Sequence, residues 1–369
     1  NPSAHRRMNE PAQHTHEQAA DRANEPGNWY PENLARIDRG LAAIAARGPA
    51  ERPLAVFDFD NTCVFRDVGQ AVFFHQLTGL RYRIRPEELA GLLPATQADL
   101  DGRPMGAVID TLVTSYRRLW PMIEAGEAEA ARQLPDAGLF AALLLWFTDR
   151  ARRDERLGPR YVLPFMGKLL AGYDLAGLRR FAAEVVHAAQ GEPLVETTLT
   201  WEAAEPLGRI QASHPLGLQP HPEMLSLMHR LQGLGIDCAI LSASTEWLVE
   251  EAARLLGFPV PPERIFGIRV GLDARGRLTT ADPDDYPVTY RQGKAEVIRR
   301  FLPGRPVLVA GDADTDYEML TLPEVDIRLL VNRNQSGLIS TLYQDPRILL
   351  QGLDQATGRF RPFRESKTL

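Results

Sequence analysis

Only two of the 369 residues are cysteine, Cys63 and Cys238, and they lie far apart in apolar stretches. That excludes a disulfide framework and any C-x-x-C metal or redox pair. It fits reduced core thiols in a reducing compartment. Long hydrophobic runs are missing too: none approaches the roughly 20 residues needed to span a bilayer. No signal-like apolar stretch precedes the first expected strand. A cytoplasmic protein is therefore expected, with a periplasmic or secreted origin left open because the chain starts at an Asn. A basic excess is also absent. The 42 Lys and Arg are outnumbered by 48 Asp and Glu, for a formal net charge of −6. This argues against nucleic acid or an anionic membrane as a partner held by global electrostatics. Repeats and low-complexity core segments are lacking as well.

What remains is an ordinary globular composition, long enough for two or three domains and a sizeable core. Residues 1–28 are polar and read as a flexible tail. Its histidines, His5, His14 and His16, read as solvated rather than as a metal site. "NWYPENLARIDRGLAAIAARG" reads as a helix entered at Pro31. "PLAVFDFDNT" reads as a short buried strand ending at two aspartates, and "GQAVFFHQL" as a helix. From 81 to 220 the apolar spacing is helical, as in "RPMGAVIDTLVTSYRRLW" and "AGLFAALLLWFTDRARR", and no strand is expected there. After Pro222, strands and helices alternate: "IDCAILSAS", "TEWLVEEAARLLG", "RQGKAEVIRRFL", "PVLVAGDADTD", "VDIRLLVNRN". "RIFGIRVGLDARGRLTT" reads as a hairpin turning at "DARG". Such alternation predicts an α/β fold with a doubly wound, Rossmann-like parallel sheet covered on both faces. The expected catalytic core comprises residues 29–80 and 221–369, with 81–220 inserted as an α-helical cap.

Four polar elements fall where doubly wound sheets place ligands, at the carboxyl ends of strands. They are Asp58 and Asp60 after "LAVF", Ser242 after "CAIL", Lys294 opening a helix, and Asp312 and Asp316 in "GDADTD". Each alone has a bland reading: an acidic turn, a helix cap, a surface lysine, a common turn. Their joint order is what carries weight.

On "DFDNT", "ILSAS", Lys294 in "RQGKAE" and "GDADTD", the chain resembles the haloacid dehalogenase superfamily. The segment from "HPEMLSLMHRLQGLGIDCAILSAS" onward looks most like its phosphoserine phosphatase and phosphorylcholine phosphatase branch. The resemblance spans about Pro53 to Leu80 and Pro222 to Tyr343, and it implies a helical cap between the first and second motifs. It also implies phosphoryl transfer with Mg²⁺, a hard cation that takes oxygen ligands. Asp58 and Asp312 are the expected side-chain ligands, helped by the Asp60 backbone carbonyl and by Asp316. Asp58 would attack phosphorus, and Asp60 would exchange protons with the leaving oxygen and then with water. Ser242 would donate to a phosphoryl oxygen, and Lys294 would steady Asp58. Amides in the loop after Asp58, around Asn61 and Thr62, and the Ala243 position would cradle the phosphate. An Asp at position 60 favours a phosphatase or phosphotransferase over a dehalogenase, because only the former have a leaving oxygen to protonate.

The expected substrate is a small phosphorylated metabolite, with phosphoserine-, phosphorylcholine- or phosphoethanolamine-like amines as candidates. Asp67 either meets an ammonium group or caps a helix. A quaternary ammonium would want an aromatic cage. The candidates are Phe65, Phe73, Phe74, Tyr82, Trp120, Trp146, Tyr161 and Trp201, all of which equally suit helix cores. His75 reads as a packed, hydrogen-bonded histidine. Arg83 and Arg85 could meet an anion or be surface charges. Transfer of the phosphoryl group to an acceptor other than water, and a non-catalytic ligand-binding role, are the rival readings.

Overall fold

The computed structural model describes residues 27–369. The tail histidines lie outside the described residues. Gly27 and Asn28, at the end of the expected tail, form a turn instead, and the Asn28 amide donates to Glu223 Oε1 at 2.9 Å. Helix α1 (Pro31–Arg47) begins on a proline, which has no amide to leave unsatisfied, and carries Glu32 and Arg47 at the ends that favour their charges. It buries Ile37, Leu41 and Ile44. Strand β1 (Pro53–Phe57) follows and ends at Asp58. Helix α2 (Val68–Gly79) comes next, capped by Asp67, whose side chain accepts from the Gln70 amide.

The inserted region contains α3 (Met105–Glu124), α4 (Pro135–Arg153), α5 (Gly158–Lys168) and α6 (Leu175–Gln190). It then forms two seven-residue strands, β2 (Glu196–Glu202) and β3 (Arg209–Pro215), paired as an antiparallel hairpin. This corrects the expectation that 81–220 holds no strand. Along β3, Ile210, Ala212 and His214 are buried and their neighbours exposed. The two-residue alternation is clear in burial but weak in hydrophobicity, because Thr197, Ala212 and His214 stand on the inner face. The hairpin packs on α4: a Cβ at Gly138 would lie 2.4 Å from Trp201. Most of the insertion has its own apolar core, with Tyr116, Phe140, Trp146 and Phe165 among its members. Helix α6 differs, since Leu178, Phe181 and Val185 join the sheet's core instead.

The chain returns to the sheet through α7 (Pro222–Gly233), β4 (Asp237–Thr245), α8 (Glu246–Leu255), β5 (Ile265–Ile268), α9 (Gln292–Phe301), β6 (Arg305–Gly311), β7 (Ile327–Val331) and β8 (Ile348–Gln351). The order across the sheet is β8-β7-β6-β1-β4-β5, all parallel. Alternate residues of β1 enter cores on opposite faces, Ala55 and Phe57 on one, Leu54 and Val56 on the other. Burial on both faces explains the unbroken apolar runs. The expected hairpin at 265–281 is not a hairpin of two strands. Ile265–Ile268 is claimed by the sheet as a parallel edge strand, and around the "DARG" turn there remain a Leu272–Leu278 bridge and a few backbone bonds, such as those between Gly271 and Thr279 or Ala281.

Strand order reverses between β1 and β6. Connections leave those two strands in opposite directions, which opens a crevice at their carboxyl ends. Asp58 and Asp312 are the residues that follow β1 and β6.

Candidate active site

The Asp58 amide donates to the Ala310 carbonyl at 2.9 Å, extending the β1–β6 ladder by one residue. The aspartates after the two strands are thereby held side by side. Beyond Asp58 the chain turns tightly. The amides of Thr62, Cys63 and Val64 all donate to the Phe59 carbonyl, and the Asn61 amide to the Arg66 carbonyl. Asn61 sits at φ +57°, which an Asn tolerates better than most residues. This corrects one expectation: the amides of residues 61–64 are engaged in the turn and do not point to a phosphate.

Thr62 Oγ1 stands 3.0 Å from both Asp58 Oδ2 and Asp312 Oδ1. One hydroxyl hydrogen cannot satisfy two carboxylates, so the spot is rich in acceptors and short of positive charge. Lys294, fully buried at 0% exposure, donates to Asp58 Oδ1 at 2.7 Å and to Asp316 Oδ1 at 2.6 Å. Asp316 Oδ2 accepts from the Asp312 and Ala313 amides at 2.9 and 3.2 Å. Asp312 Oδ2 pairs with Arg333 Nη1 at 2.9 Å. Oxygens of Asp58, Asp312 and Asp316 lie within 4.8 Å of one another. Three carboxylates against two cations leave a negative charge uncompensated, and an all-oxygen donor set suits a hard divalent cation. The Asp60 side chain stands outside this cluster, so its only share could be the backbone carbonyl expected from the sequence.

Asp60 Oδ2 instead accepts from Ser244 Oγ at 2.6 Å and Ser242 Oγ at 3.3 Å, and Oδ1 from the Val68 amide at 2.6 Å. Ser242 is fully buried, and its oxygen also accepts from the Ser244 amide. Ser244, not Ser242, lines the cavity. The period of a strand carries both serines to one face, a signal available in "LSAS" but unused.

Burial pushes the Asp58 carboxyl up to about 7, with Lys294 pulling down and Asp312 pushing up. Burial, then the charge of Asp58, lifts Asp316 to about 6 against Lys294. Asp312 is also raised by burial, against Arg333. Asp60 is held well above the usual carboxylate range by burial and by the charge of Asp67, with the Ser244 hydrogen bond opposing. Burial works against the Lys294 charge, but Asp316 and Asp58 outweigh it and raise its pKa.

Asp58, Asp60 and Asp312 line the floor of a cavity of about 560 Å³, with Lys294 and Asp316 buried behind them. Asn61, Asp67 and Ala243 line it. Thr315 also lines it, and its buried Oγ1 has no partner among the described residues. Of the eight aromatic candidates only Phe73 faces the cavity. Phe74, Tyr82 and Trp146 are buried in the core of the insertion, where Trp120, Tyr161 and Trp201 also pack, and Phe65 belongs to the sheet core. There is no cage. His75 bonds Glu192 at 3.0 Å, Arg83 lies over the Tyr173 ring, and Arg85 pairs with Glu87 and Glu88 in solvent. None of these three lines the cavity. Sequence reasoning missed Arg66, Arg152 and Arg333, all of which do. Only Arg333 carried a signal, being two residues beyond the end of β7.

Gly293 keeps Lys294 in place. A Cβ there would lie 1.7 Å from the Val288 carbonyl oxygen, so Gly293→Ala must displace the first turn of α9. Urea unfolding is expected to show a loss of about 1–3 kcal/mol, with turnover reduced alongside.

No curated protein matches the sequence. A structure of a functionally unknown protein from Anaerococcus prevotii DSM 20548 is similar over 94% of this chain and 99% of its own, at 23% identity and TM-score 0.80. It supports the fold. A protein of unknown function from Bordetella pertussis Tohama I (16% identity, 81% and 98% covered, TM-score 0.44) and a substrate-bound phosphoserine phosphatase (13%, 76% and 86%, TM-score 0.35) are more distant. No helix among the described residues is long and apolar enough to cross a membrane. Residues 110–321 match the family described as haloacid dehalogenase-like hydrolase, a span that runs from the insertion through the "GDADTD" loop. With more than half of its length matched, the chain belongs to the haloacid dehalogenase-like hydrolases.

Proposed function

We propose that the protein is a Mg²⁺-dependent phosphomonoesterase acting on a small phosphorylated metabolite. The observation that carries this reading is the buried cluster of Asp58, Asp312, Asp316 and Lys294 beneath the cavity. Asp58 and Asp312 would hold the ion, with Asp316 beside them. When bound, it supplies the positive charge that lets an anionic nucleophile approach an anionic phosphoryl group.

The chain's own residues do the rest. An Asp58 oxygen bonds to phosphorus as the ester P–O bond breaks, giving an aspartyl-phosphate. Asp60, kept protonated by its buried site, gives its proton to the leaving oxygen. Now ionised, it takes a proton from water, which attacks phosphorus and frees Asp58 and inorganic phosphate. Ser242 and Ser244 hold the Asp60 carboxyl on this line. Lys294 keeps Asp58 ionised and oriented. Asn61, Ala243 and Thr315 line the cavity beside the phosphoryl position, and Thr62 steadies Asp58 from behind. For an amine-bearing ester, Asp67 is the available acid. Lacking an aromatic cage, the cavity favours a primary ammonium over a quaternary one.

The test is phosphate release from an aryl phosphate and a metabolite panel, with Mg²⁺ and with chelator. Turnover is expected only with metal. Its absence across the whole panel would sink the reading. Asp60→Asn is expected to slow alkyl phosphate hydrolysis by about 10²–10⁴-fold. An aryl ester, whose leaving group needs less proton help, should lose less. Equal losses would remove Asp60 from the acid role.

A further inference from the structure

The cavity above the acidic floor is not acidic. Its lining includes Arg66, Arg152, Arg153 and Arg333. Arg333 is paired with Asp312, and Arg153 reaches out to Asp149 at the surface. The other two have no carboxylate partner among the described residues. Arg152, in the last turn of α4, has only Met166 Sδ, at 3.5 Å. Arg66 has the Leu216 carbonyl at 3.1 Å and the Phe65 ring beneath it. Burial lowers both guanidinium pKa values from the usual arginine range, and for Arg66 the charge of Arg333 adds to this. Two partly desolvated guanidinium groups with no ion-pair partner, answered only by the more distant charges of Asp67 and Asp149 for Arg152 and of Glu196 for Arg66, are costly for a folded chain.

Arg66 is also held under strain. It adopts φ +80°, a left-handed conformation that costs a side chain with a Cβ about 1–2 kcal/mol. Reciprocal hydrogen bonds with Asn61 keep it there: the Asn61 amide donates to the Arg66 carbonyl, and the Arg66 amide to Asn61 Oδ1. Strain held at a cavity wall is commonly tied to function. Among the described residues, none of the nearby acids forms an ion pair with either arginine, and each accepts from other donors. Asp67 accepts from Gln70 and Ser244, Asp60 from Ser244 and Val68, and Asp314 from Ile339.

We propose that the substrate carries a second oxyanion, a carboxylate or a further phosphate, on the part that remains after dephosphorylation, and that Arg66 and Arg152 bind it. The inference rests on the phosphatase reading only for where the reacting phosphoryl group sits. Guanidinium groups suit either oxyanion, since both accept paired N–H donors.

The experiment compares kcat/KM for five alkyl esters with Mg²⁺: phosphoglycolate, a hexose bisphosphate, the matching hexose monophosphate, phosphoethanolamine and phosphoserine. The carboxylate and bisphosphate arms separate the two sources of anion, and phosphoserine shows whether an added amine helps. At least one doubly anionic ester is expected to exceed the monophosphate by about 10–100-fold, the range of a charged hydrogen bond. Arg66→Gln and Arg152→Gln should each collapse that ratio, and Arg152→Lys should restore part of it. A second measurement needs no turnover: the thermal shift from phosphonoacetate against that from methylphosphonate, in wild type and both variants. A wild-type ratio near one, or equal losses on every ester, overturns the inference while leaving the phosphatase intact. No hydrolysis of any ester, with phosphonoacetate binding still lost in the variants, does the reverse.

Discussion

Asp58→Asn is expected to abolish phosphate release while leaving the fold intact. The substitution keeps the size of the side chain. Its amide oxygen can still accept from Lys294, whose Nζ lies 2.7 Å from one Asp58 oxygen, and its NH2 can donate to Thr62 Oγ1, 3.0 Å from the other. What it loses is the anionic oxygen that bonds phosphorus and one of the charges that would attract a cation. Removing a covalent nucleophile typically lowers kcat by about 10⁴–10⁶-fold, leaving only what binding and electrostatics provide. The measurement is single-turnover hydrolysis of an aryl phosphate at saturating Mg²⁺, beside a urea unfolding curve. Unfolding should shift little or towards higher stability, because Asp58 is a buried acid whose pKa burial raises to about 7. A group raised in the folded state contributes stability below its unfolded value and loses it as pH rises through the folded value. At pH 8 the wild type bears that penalty and the amide does not. Retained turnover would show that another atom attacks phosphorus, whatever the activity proves to be.

How much of this could be read beforehand depends on how each feature is encoded. The sheet strands are short, fully apolar runs that end in acids or serine, so "LAVF" followed by Asp58 and "VLVA" followed by Gly311 and Asp312 announce both strand and site edge. The parallel sheet follows from that alternation, while its six-stranded order and the crevice between β1 and β6 come from the structure. Features set by tertiary partners were not legible. The β2–β3 hairpin alternates only weakly and becomes a strand pair because α4 covers one face. Ile265–Ile268 looked self-sufficient as half of a hairpin, yet β4 offered a free edge and took it. β8 carries little signal of its own, since "ILLQ" is a four-residue run reached through a loop with only the short turn of Leu338–Leu342. At the site, the acids, serine and lysine of the four motifs are legible, and the cavity arginines, which belong to no motif, are not. Arg152 reaches the cavity from the insertion, and no local pattern distinguishes it from Arg153 beside it. The aromatic cage failed for a related reason: aromatic residues in helical stripes are claimed by the nearest core.

Lys294→Met is expected to cost both fold and function, in a way that separates a working lysine from a passive one. The ammonium group is at 0% exposure and bridges two carboxylates that are themselves almost entirely buried. Methionine fills similar volume, so packing changes little and the loss reports on charge. Breaking a buried ion pair from one side leaves the other partner uncompensated, at about 3–5 kcal/mol. Here two partners are stranded, Asp58 and Asp316. Both already have pKa values raised by burial, to about 7 and about 6, and without the lysine they rise further. The deficit relative to wild type should therefore be small near pH 5, where both carboxyls can be protonated, and should widen toward pH 8. Urea unfolding at the two pH values measures this directly. Adding Asp316→Asn removes one stranded charge, so the double variant should recover part of the loss, a coupling of about 1–3 kcal/mol. Activity should not recover with it, because Asp58 has still lost the cation that keeps it ionised. A pH-independent deficit under 1 kcal/mol, with no coupling to Asp316, would reduce Lys294 to a packed side chain.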